Sequence, residues 1–79
     1  MIKDTVAERV LQICRERNIT INDLANRSGV TPSSVYSMLD HRRKEVSINL
    51  IKKLCDGLDM TLGEFFSTKE FDQAEQEIQ

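Results

Sequence analysis

The stretch that most constrains the fold is residues 20–39, TINDLANRSGVTPSSVYSML. It predicts two short helices joined by a tight turn at Gly29, because glycine readily takes the left-handed conformation that ends a helix. Thr20 and Thr31 stand where N-caps are expected, and Pro32 follows at a first helical position, where its missing N–H costs nothing. The residues expected to face inward are the apolar ones: Leu24, Ala25, Val30, Val35 and Met38.

A longer helix is predicted before this stretch, over residues 5–18. Thr5 and Glu8 have the spacing of a capping box, which would place the start of the helix at Thr5. One face is apolar at helical spacing, and Ile2 extends that face backwards. The residues that fall on this face are Val6, Val10, Ile13, Cys14 and Arg17, with Leu11 flanking it.

Two more helices are predicted after the stretch, which gives an all-α chain of five helices. Ser47 caps the fourth helix, which reaches about Leu58, and Gly57 is expected to weaken its last turn. Thr61 and Glu64 form a capping box at the start of a short fifth helix. The inward positions are Ile48, Ile51, Leu54, Cys55 and Leu58 in the fourth helix, and Leu62, Phe65 and Phe66 in the fifth.

A chain of 79 residues has room for one small domain. We expect residues 1–66 to form this domain. Residues 67–79 are expected to be an acidic tail, either a marginal helix or disordered, because only Phe71, Ala74 and Ile78 keep an apolar helical spacing there.

The net charge of −2 is unevenly divided along the chain. Residues 1–55 hold ten Lys and Arg against six Asp and Glu, a net charge of +4. Residues 56–79 hold one against seven, a net charge of −6. The N-terminal part can therefore present a basic face to phosphates, although the chain as a whole is acidic.

Several classes of function find no support in the sequence. Cys14 and Cys55 lie within apolar helical patterns and are expected to be buried reduced thiols, and with His41 as the single histidine no metal site is expected. There is no phosphate-binding glycine motif and no arguable catalytic triad, so we predict no enzyme, no cofactor and no small-molecule substrate. No apolar run approaches the roughly 20 residues of a membrane span. The N-terminus lacks the apolar segment of a signal peptide, so we expect no membrane partner and a cytoplasmic location.

The run LANRSGVTPSSVYSML, together with the basic loop DHRRK, the helix INLIKKLCDGL and the segment TLGEFF, resembles the phage-repressor/Cro class of helix-turn-helix proteins, often called XRE-like. The resemblance covers residues 6 to about 66. It implies a compact five-helix, lambda-repressor-like domain whose helix-turn-helix is formed by helices 2 and 3. It also implies a sequence-specific transcriptional regulator, most often a repressor, which binds palindromic duplex operators as a homodimer. The alternative is a protein-binding module of the same fold, an antitoxin or antirepressor whose acidic tail engages a basic partner.

The resemblance also implies which residues face the DNA when helix 3 lies in the major groove. The base-contact candidates are Thr31, Ser33 and Ser37 by position, with Ser34 and Tyr36 beside them. The candidates for the sugar–phosphate backbone are Asn22, Arg27, Arg42, Arg43 and Lys44. The candidates for the dimer interface are Phe66, Phe71 and Ile78.

This chain departs from the family pattern at three places. The family often has Gln where Ile21 and Pro32 stand, and an Asn/Arg–Gly pair where this chain has Asp40 and His41. His41 must then take a left-handed conformation at some cost, or helix 3 must end differently. Because hydroxyl groups discriminate between bases less than Arg or Gln does, we expect specificity to depend also on backbone contacts, DNA shape and dimer spacing.

Overall fold

The computed structural model describes residues 2–74, which form six α-helices and no strand. In chain order these are α1 (Ile2–Arg17), α2 (Ile21–Ser28), α3 (Pro32–Leu39), α4 (Ile48–Gly57), α5 (Leu62–Phe65) and α6 (Lys69–Gln73). The all-α prediction is confirmed, and α6 adds one helix to the five expected. This sixth helix lies in the predicted tail and packs against α1. None of the helices in this range combines the length and the apolar character that crossing a bilayer requires.

A single apolar core joins the first five helices. At its centre α1 contributes Val10, α2 contributes Leu24, α3 contributes Val35, α4 contributes Leu54 and α5 contributes Phe65, and all of these side chains are fully buried. Burying one such side chain contributes about 1.5–3 kcal/mol. The α2–α3 prediction is confirmed at Leu24, Ala25, Val35 and Met38, which are buried, while Val30 is half-buried. The core therefore fixes α3 through one face and leaves its other face to solvent.

The two cysteines belong to this core. Cys14 in α1 and Cys55 in α4 are buried free thiols, as predicted. Burial raises the pKa of both thiols, because the thiolate would lose its hydration. The two groups therefore pack as small apolar side chains.

The start of α1 differs from the prediction. The helix is already formed at Ile2, and Thr5 lies inside it, so Thr5 and Glu8 do not mark its first turn. The physical reason is packing. Lys3, one helical turn before Val6, is buried, so the first turn of α1 packs against the rest of the protein. Asp4 adds a negative charge near the positive end of the helix dipole.

The inward positions predicted at Ile2 and Ile48 are wrong. Ile2 is 51% exposed and Ile48 is 61% exposed. Each is the first residue of its helix, at the start of α1 and α4 respectively. Because side chains lean toward the N-terminus of a helix, these two extend beyond the edge of the core.

Glycine allows α2 and α4 to approach closely, and these two helices share the most extensive helix–helix contact. A Cβ atom at Gly57 would lie 2.9 Å from both the Cα and the backbone nitrogen of Ser28. No real Cβ tolerates such a distance from backbone atoms. The sequence predicted only that Gly57 weakens the end of its helix. The structure shows that the close contact with Ser28 requires a glycine at this position.

Capping boxes open α2 and α5, which confirms the predicted cap at Thr20 and the predicted box at Thr61 and Glu64. The Thr20 hydroxyl accepts from the Asp23 backbone N–H at 3.0 Å, and the Asp23 carboxylate accepts from the Thr20 N–H at 3.0 Å. Thr61 and Glu64 repeat the arrangement at α5. These hydrogen bonds lower the pKa of the Asp23 and Glu64 carboxyl groups, because they stabilise the charged form.

Arginine side chains of α1 bind backbone carbonyls at the ends of later elements. Arg9 donates from Nε to the Phe65 carbonyl at 2.8 Å and from Nη2 to the Glu64 carbonyl at 2.9 Å. Arg17 donates to the carbonyl of Leu58, the C-cap of α4. Both arginines thus donate to carbonyls at a helix end, where the regular intrahelical N–H donor four positions on is missing.

Candidate nucleic-acid interface

The turn between α2 and α3 sets the orientation of α3 relative to α2. Gly29 has φ +69° and ψ 28°, the left-handed conformation that the sequence predicted. The backbone N–H of Val30 donates to the Ala25 carbonyl at 3.1 Å, which closes the end of α2. A Cβ at Gly29 would meet nothing within 4 Å, so the positive φ, and not crowding, calls for glycine here.

The N-terminus of α3 is capped by Thr31, with Pro32 in the first turn as predicted. The Thr31 hydroxyl accepts from the Ser34 backbone N–H at 3.3 Å. It also lies 3.1 Å from the Ser33 hydroxyl and 2.9 Å from the Ser34 hydroxyl. Three exposed hydroxyl groups therefore form a connected cluster at the start of α3.

The outer face of α3 carries small polar side chains and one tyrosine. Ser33, Tyr36 and Ser37 are three and four positions apart, so they lie on one side of the helix, and all three are exposed. Tyr36 is 55% exposed. On the opposite side Val35 and Met38 are buried in the core. We call Ser33, Tyr36 and Ser37 the outer row of α3.

Asp40 ends α3 and organises the loop that follows. Its backbone is extended (φ −68°, ψ 116°), and His41 has no positive φ, so the helix ends without a left-handed residue. The Asp40 carbonyl accepts from the Arg43 backbone N–H at 2.9 Å, and its carboxylate accepts from the Arg42 backbone N–H at 2.9 Å. These bonds fold residues 40–43 into a compact turn.

The three basic residues of this loop differ in their surroundings. Arg42 donates from Nη2 to Asp40 Oδ2 at 2.8 Å and from Nε to both carboxylate oxygens. The Arg42 guanidinium and its backbone N–H hold the pKa of the Asp40 carboxyl well below its usual range. Arg43 is exposed, and among residues 2–74 its side chain makes no hydrogen bond or ion pair. Lys44 is exposed as well. The charge of Arg42 is therefore already countered, whereas the Arg43 guanidinium is available to an anion.

The remaining predicted backbone contacts lie on α2. Asn22 is in its first turn and Arg27 in its last, and both side chains are exposed. Arg27 has an electrostatic interaction with Asp23, four positions earlier on the same helix. Both side chains thus lie on α2, which packs against α3, and neither is part of the core.

The predicted dimer-interface residues are partly used within the chain. Phe66 and Phe71 are half-buried and pack with the buried Phe65, with ring centroids 5.0 Å apart for Phe65–Phe66 and 4.8 Å for Phe66–Phe71. Ile78, the third candidate, lies outside the described residues. The trio covers one edge of the core and leaves part of two rings exposed. A role of these residues in a dimer stays a prediction.

Sequence reasoning missed one residue near this site. The Lys3 side chain is only 2% exposed, and its Nζ donates to the Asp40 carbonyl at 2.6 Å. A signal was present, because Lys3, Val6 and Val10 share one face of α1 and a lysine in such an apolar row requires a partner. The partner itself lies 37 positions away and could not be found from spacing.

A comparison with family models gives one match that covers most of the chain. The Cro/C1-type HTH DNA-binding domain matches residues 9–70, from the middle of α1 into α6. No significant match was found among curated proteins or among solved structures. The matched range contains the turn at Gly29, the outer row of α3 and the whole loop after Asp40.

Proposed function

The chain belongs to the Cro/C1-type HTH DNA-binding domain family and is in general terms a DNA-binding transcription regulator, and from this premise we propose that it represses transcription by placing α3 in the major groove of an operator. The observation that carries the proposal is the two-sided character of α3. One side is buried, at Val35 and Met38, and the other presents the exposed outer row. An α-helix held in this way fits a major groove and can bring side chains to base edges.

Within the five base-contact candidates, the outer row is proposed to make the main contacts. The Thr31 hydroxyl caps the helix by accepting from the Ser34 backbone N–H and lies within hydrogen-bond distance of the Ser33 and Ser34 hydroxyls. Thr31 and Ser34 lie beside the outer row, so we propose that their hydroxyls contact a phosphate near the helix start. Ser33 and Ser37 can donate to or accept from base edges, and Tyr36 can contact a thymine methyl group. The row has no Arg or Gln, so each contact discriminates modestly.

The backbone contacts are proposed to come chiefly from the loop after α3. Arg43 and Lys44 are exposed there, and phosphate contacts from such a loop fix the register of the helix without reading sequence. Arg42 is proposed as a weaker contact, because a phosphate must compete with the Asp40 carboxylate for its guanidinium. Asn22 and Arg27 are proposed to contact the backbone on the other side of the groove.

The short length of α3 supports a homodimer on a palindromic site. At 1.5 Å per residue, the eight residues of α3 extend about 12 Å, against a DNA helical turn of about 34 Å. One copy thus reads a short half-site, and two copies supply the specificity that a regulator needs. The exposed parts of Phe66 and Phe71 are the proposed dimer contact.

The family is typically non-enzymatic. We therefore propose no catalytic activity for this chain.

The experiment that tests DNA binding compares two neighbouring arginines. Arg43→Ala is expected to weaken binding by about the same factor on every duplex, and to make the slope of log K against log[salt] shallower by about 1 for each bound copy, because each copy loses one phosphate contact. Arg42→Ala is expected to change the slope by clearly less, since its charge is already paired with Asp40. Fluorescence anisotropy of a labelled duplex over a series of salt concentrations measures both.

The matched control is Arg15→Ala, an exposed arginine of α1 outside the proposed interface, which should leave the slope unchanged. Equal slopes for the unmodified protein and both loop variants would show that this loop does not contact phosphates. A protein without affinity for any duplex at low salt would remove the proposed function altogether.

A further inference from the structure

Lys3 is the one charged side chain that is buried among residues 2–74. Its Nζ donates to the backbone carbonyl of Asp40 at 2.6 Å, which connects the first turn of α1 to the end of α3. Lys3 lines an open groove together with Ile2, Val6 and Phe66. Because Lys3 is only 2% exposed and its Nζ is bound to Asp40, it is not placed to contact a DNA phosphate itself.

The burial of this ammonium group needs a physical explanation. Removing a charged amine from water is costly unless hydrogen bonds compensate, and an apolar side chain would fill the same space without that cost. The Asp40 carbonyl is a strong acceptor, because it lies at the C-terminal end of α3, where the helix dipole is negative. A charge-assisted hydrogen bond there compensates part of the cost and fixes a geometry that an apolar contact would not.

The acceptor atom is also part of the turn after α3. The same Asp40 carbonyl oxygen accepts from the Arg43 backbone N–H at 2.9 Å, and the Asp40 carboxylate holds Arg42. Lys3 thus donates to the oxygen that orients the peptide of Arg43, the proposed phosphate contact. A displacement of this oxygen would move the Arg43 backbone and the last turn of α3 together.

We propose that Lys3 is a positioning residue for DNA binding: it holds the end of α3 and the following loop in the orientation in which they meet the DNA. The inference rests on the proposed function, since a fixed loop orientation matters only if the loop binds a ligand. It differs from a purely structural contact such as Arg9, which also donates from α1 to backbone carbonyls but does so at Phe65 and Glu64.

The test compares Lys3→Met with Arg9→Met. Methionine keeps an unbranched apolar stem in both cases and removes the hydrogen-bond donors. Each variant therefore loses the hydrogen bonding from an α1 side chain to backbone carbonyls. Affinity is measured at several salt concentrations, at a temperature at which circular dichroism shows both variants fully folded. For Lys3→Met we expect roughly tenfold weaker binding and a salt slope shallower by about 1 for each bound copy, because each copy loses or loosens its Arg43 contact. For Arg9→Met we expect the affinity and slope of the unmodified protein.

A second measurement uses the unmodified protein without DNA, and it holds even if Lys3→Met does not fold. A through-hydrogen-bond coupling between the Lys3 ¹⁵Nζ and the Asp40 carbonyl ¹³C is expected by NMR, with Nζ protons that exchange far more slowly than those of the exposed Lys53. Absence of the coupling, with Lys3 protons exchanging like those of Lys53, would overturn the inference.

The remaining outcomes separate this inference from the proposed function. Unchanged affinity and salt slope in a folded Lys3→Met variant would show that the contact is structural only, while DNA binding by the unmodified protein would stand. If the unmodified protein bound no duplex at all, the proposed function would fail, and the role of Lys3 in DNA binding would fail with it.

Discussion

Gly57→Ala is expected to lower the free energy of unfolding by about 2 kcal/mol, a large fraction of the stability of a domain this small. The added Cβ would lie 2.9 Å from the Cα and the backbone nitrogen of Ser28, so α2 and α4 would have to move apart. The clash involves backbone atoms, which no change of rotamer relieves. The higher helix propensity of alanine, about 0.5–1 kcal/mol, offsets only part of the cost. Urea unfolding followed by circular dichroism measures the difference.

Two controls isolate the close contact. Gly63→Ala makes the same chemical change in α5, where the nearest atom to a new Cβ is the Thr61 Oγ1 at 3.8 Å, so stability should stay the same or rise slightly. Ser28→Ala in the Gly57→Ala background removes only the Ser28 hydroxyl, and the backbone clash should keep the double variant unstable. If Gly57→Ala unfolds at the urea concentration of the unmodified protein, the close approach of α2 and α4 is wrong.

The double variant Ser33→Ala, Ser37→Ala is expected to lose about 2 kcal/mol of affinity for a preferred duplex per bound copy, roughly 30-fold for each half-site, because each hydroxyl contributes about one hydrogen bond to a base edge. Affinity for unrelated duplexes should change little, since phosphate contacts supply it. The ratio between preferred and unrelated duplexes should therefore fall by the same factor. Competition titrations with both duplexes, at one salt concentration, give this ratio.

Folding does not complicate this variant, because alanine is a better helix former than serine and both positions are exposed. Ser67→Ala is the matched control: the same substitution at an exposed serine after α5, away from α3. It should leave the ratio unchanged. A preferred-site affinity that survives the double substitution would contradict base reading by these two residues.

The parts of the fold that sequence alone predicted depend on local physics. The left-handed turn at Gly29, the caps at Thr20 and Thr31, and the capping box at Thr61 each involve residues within a few positions of one another. The core side of α2 and α3 follows from helical spacing, and the structure confirms it. These features need no knowledge of what lies across the molecule.

The parts that sequence did not predict depend on distant partners. Gly57 looked like a weak helix end, because Ser28 is brought to it only by the packing of α2 on α4. Lys3 looked like an ordinary lysine before the helix, because its acceptor is the Asp40 carbonyl on another element. Spacing along one helix carries no information about either contact.

The candidate site shows the same limit within one loop. Sequence treated Arg42, Arg43 and Lys44 as one basic run, whereas the structure pairs Arg42 with Asp40 and leaves the Arg43 guanidinium available. The pairing depends on how the chain turns after α3, at a position where the loop departs from the family pattern. The local sequence shows which residues are charged, whereas the conformation of the turn determines which of these charges are available to a ligand.

Selection of bound sites from a pool of random duplexes shows whether α3 reads base edges as part of a symmetric pair. We expect an enriched palindrome, with half-sites centred about one DNA turn apart, and no enrichment when the Ser33→Ala, Ser37→Ala variant is used on the same pool. Equal recovery of all duplexes by the unmodified protein would contradict this expectation.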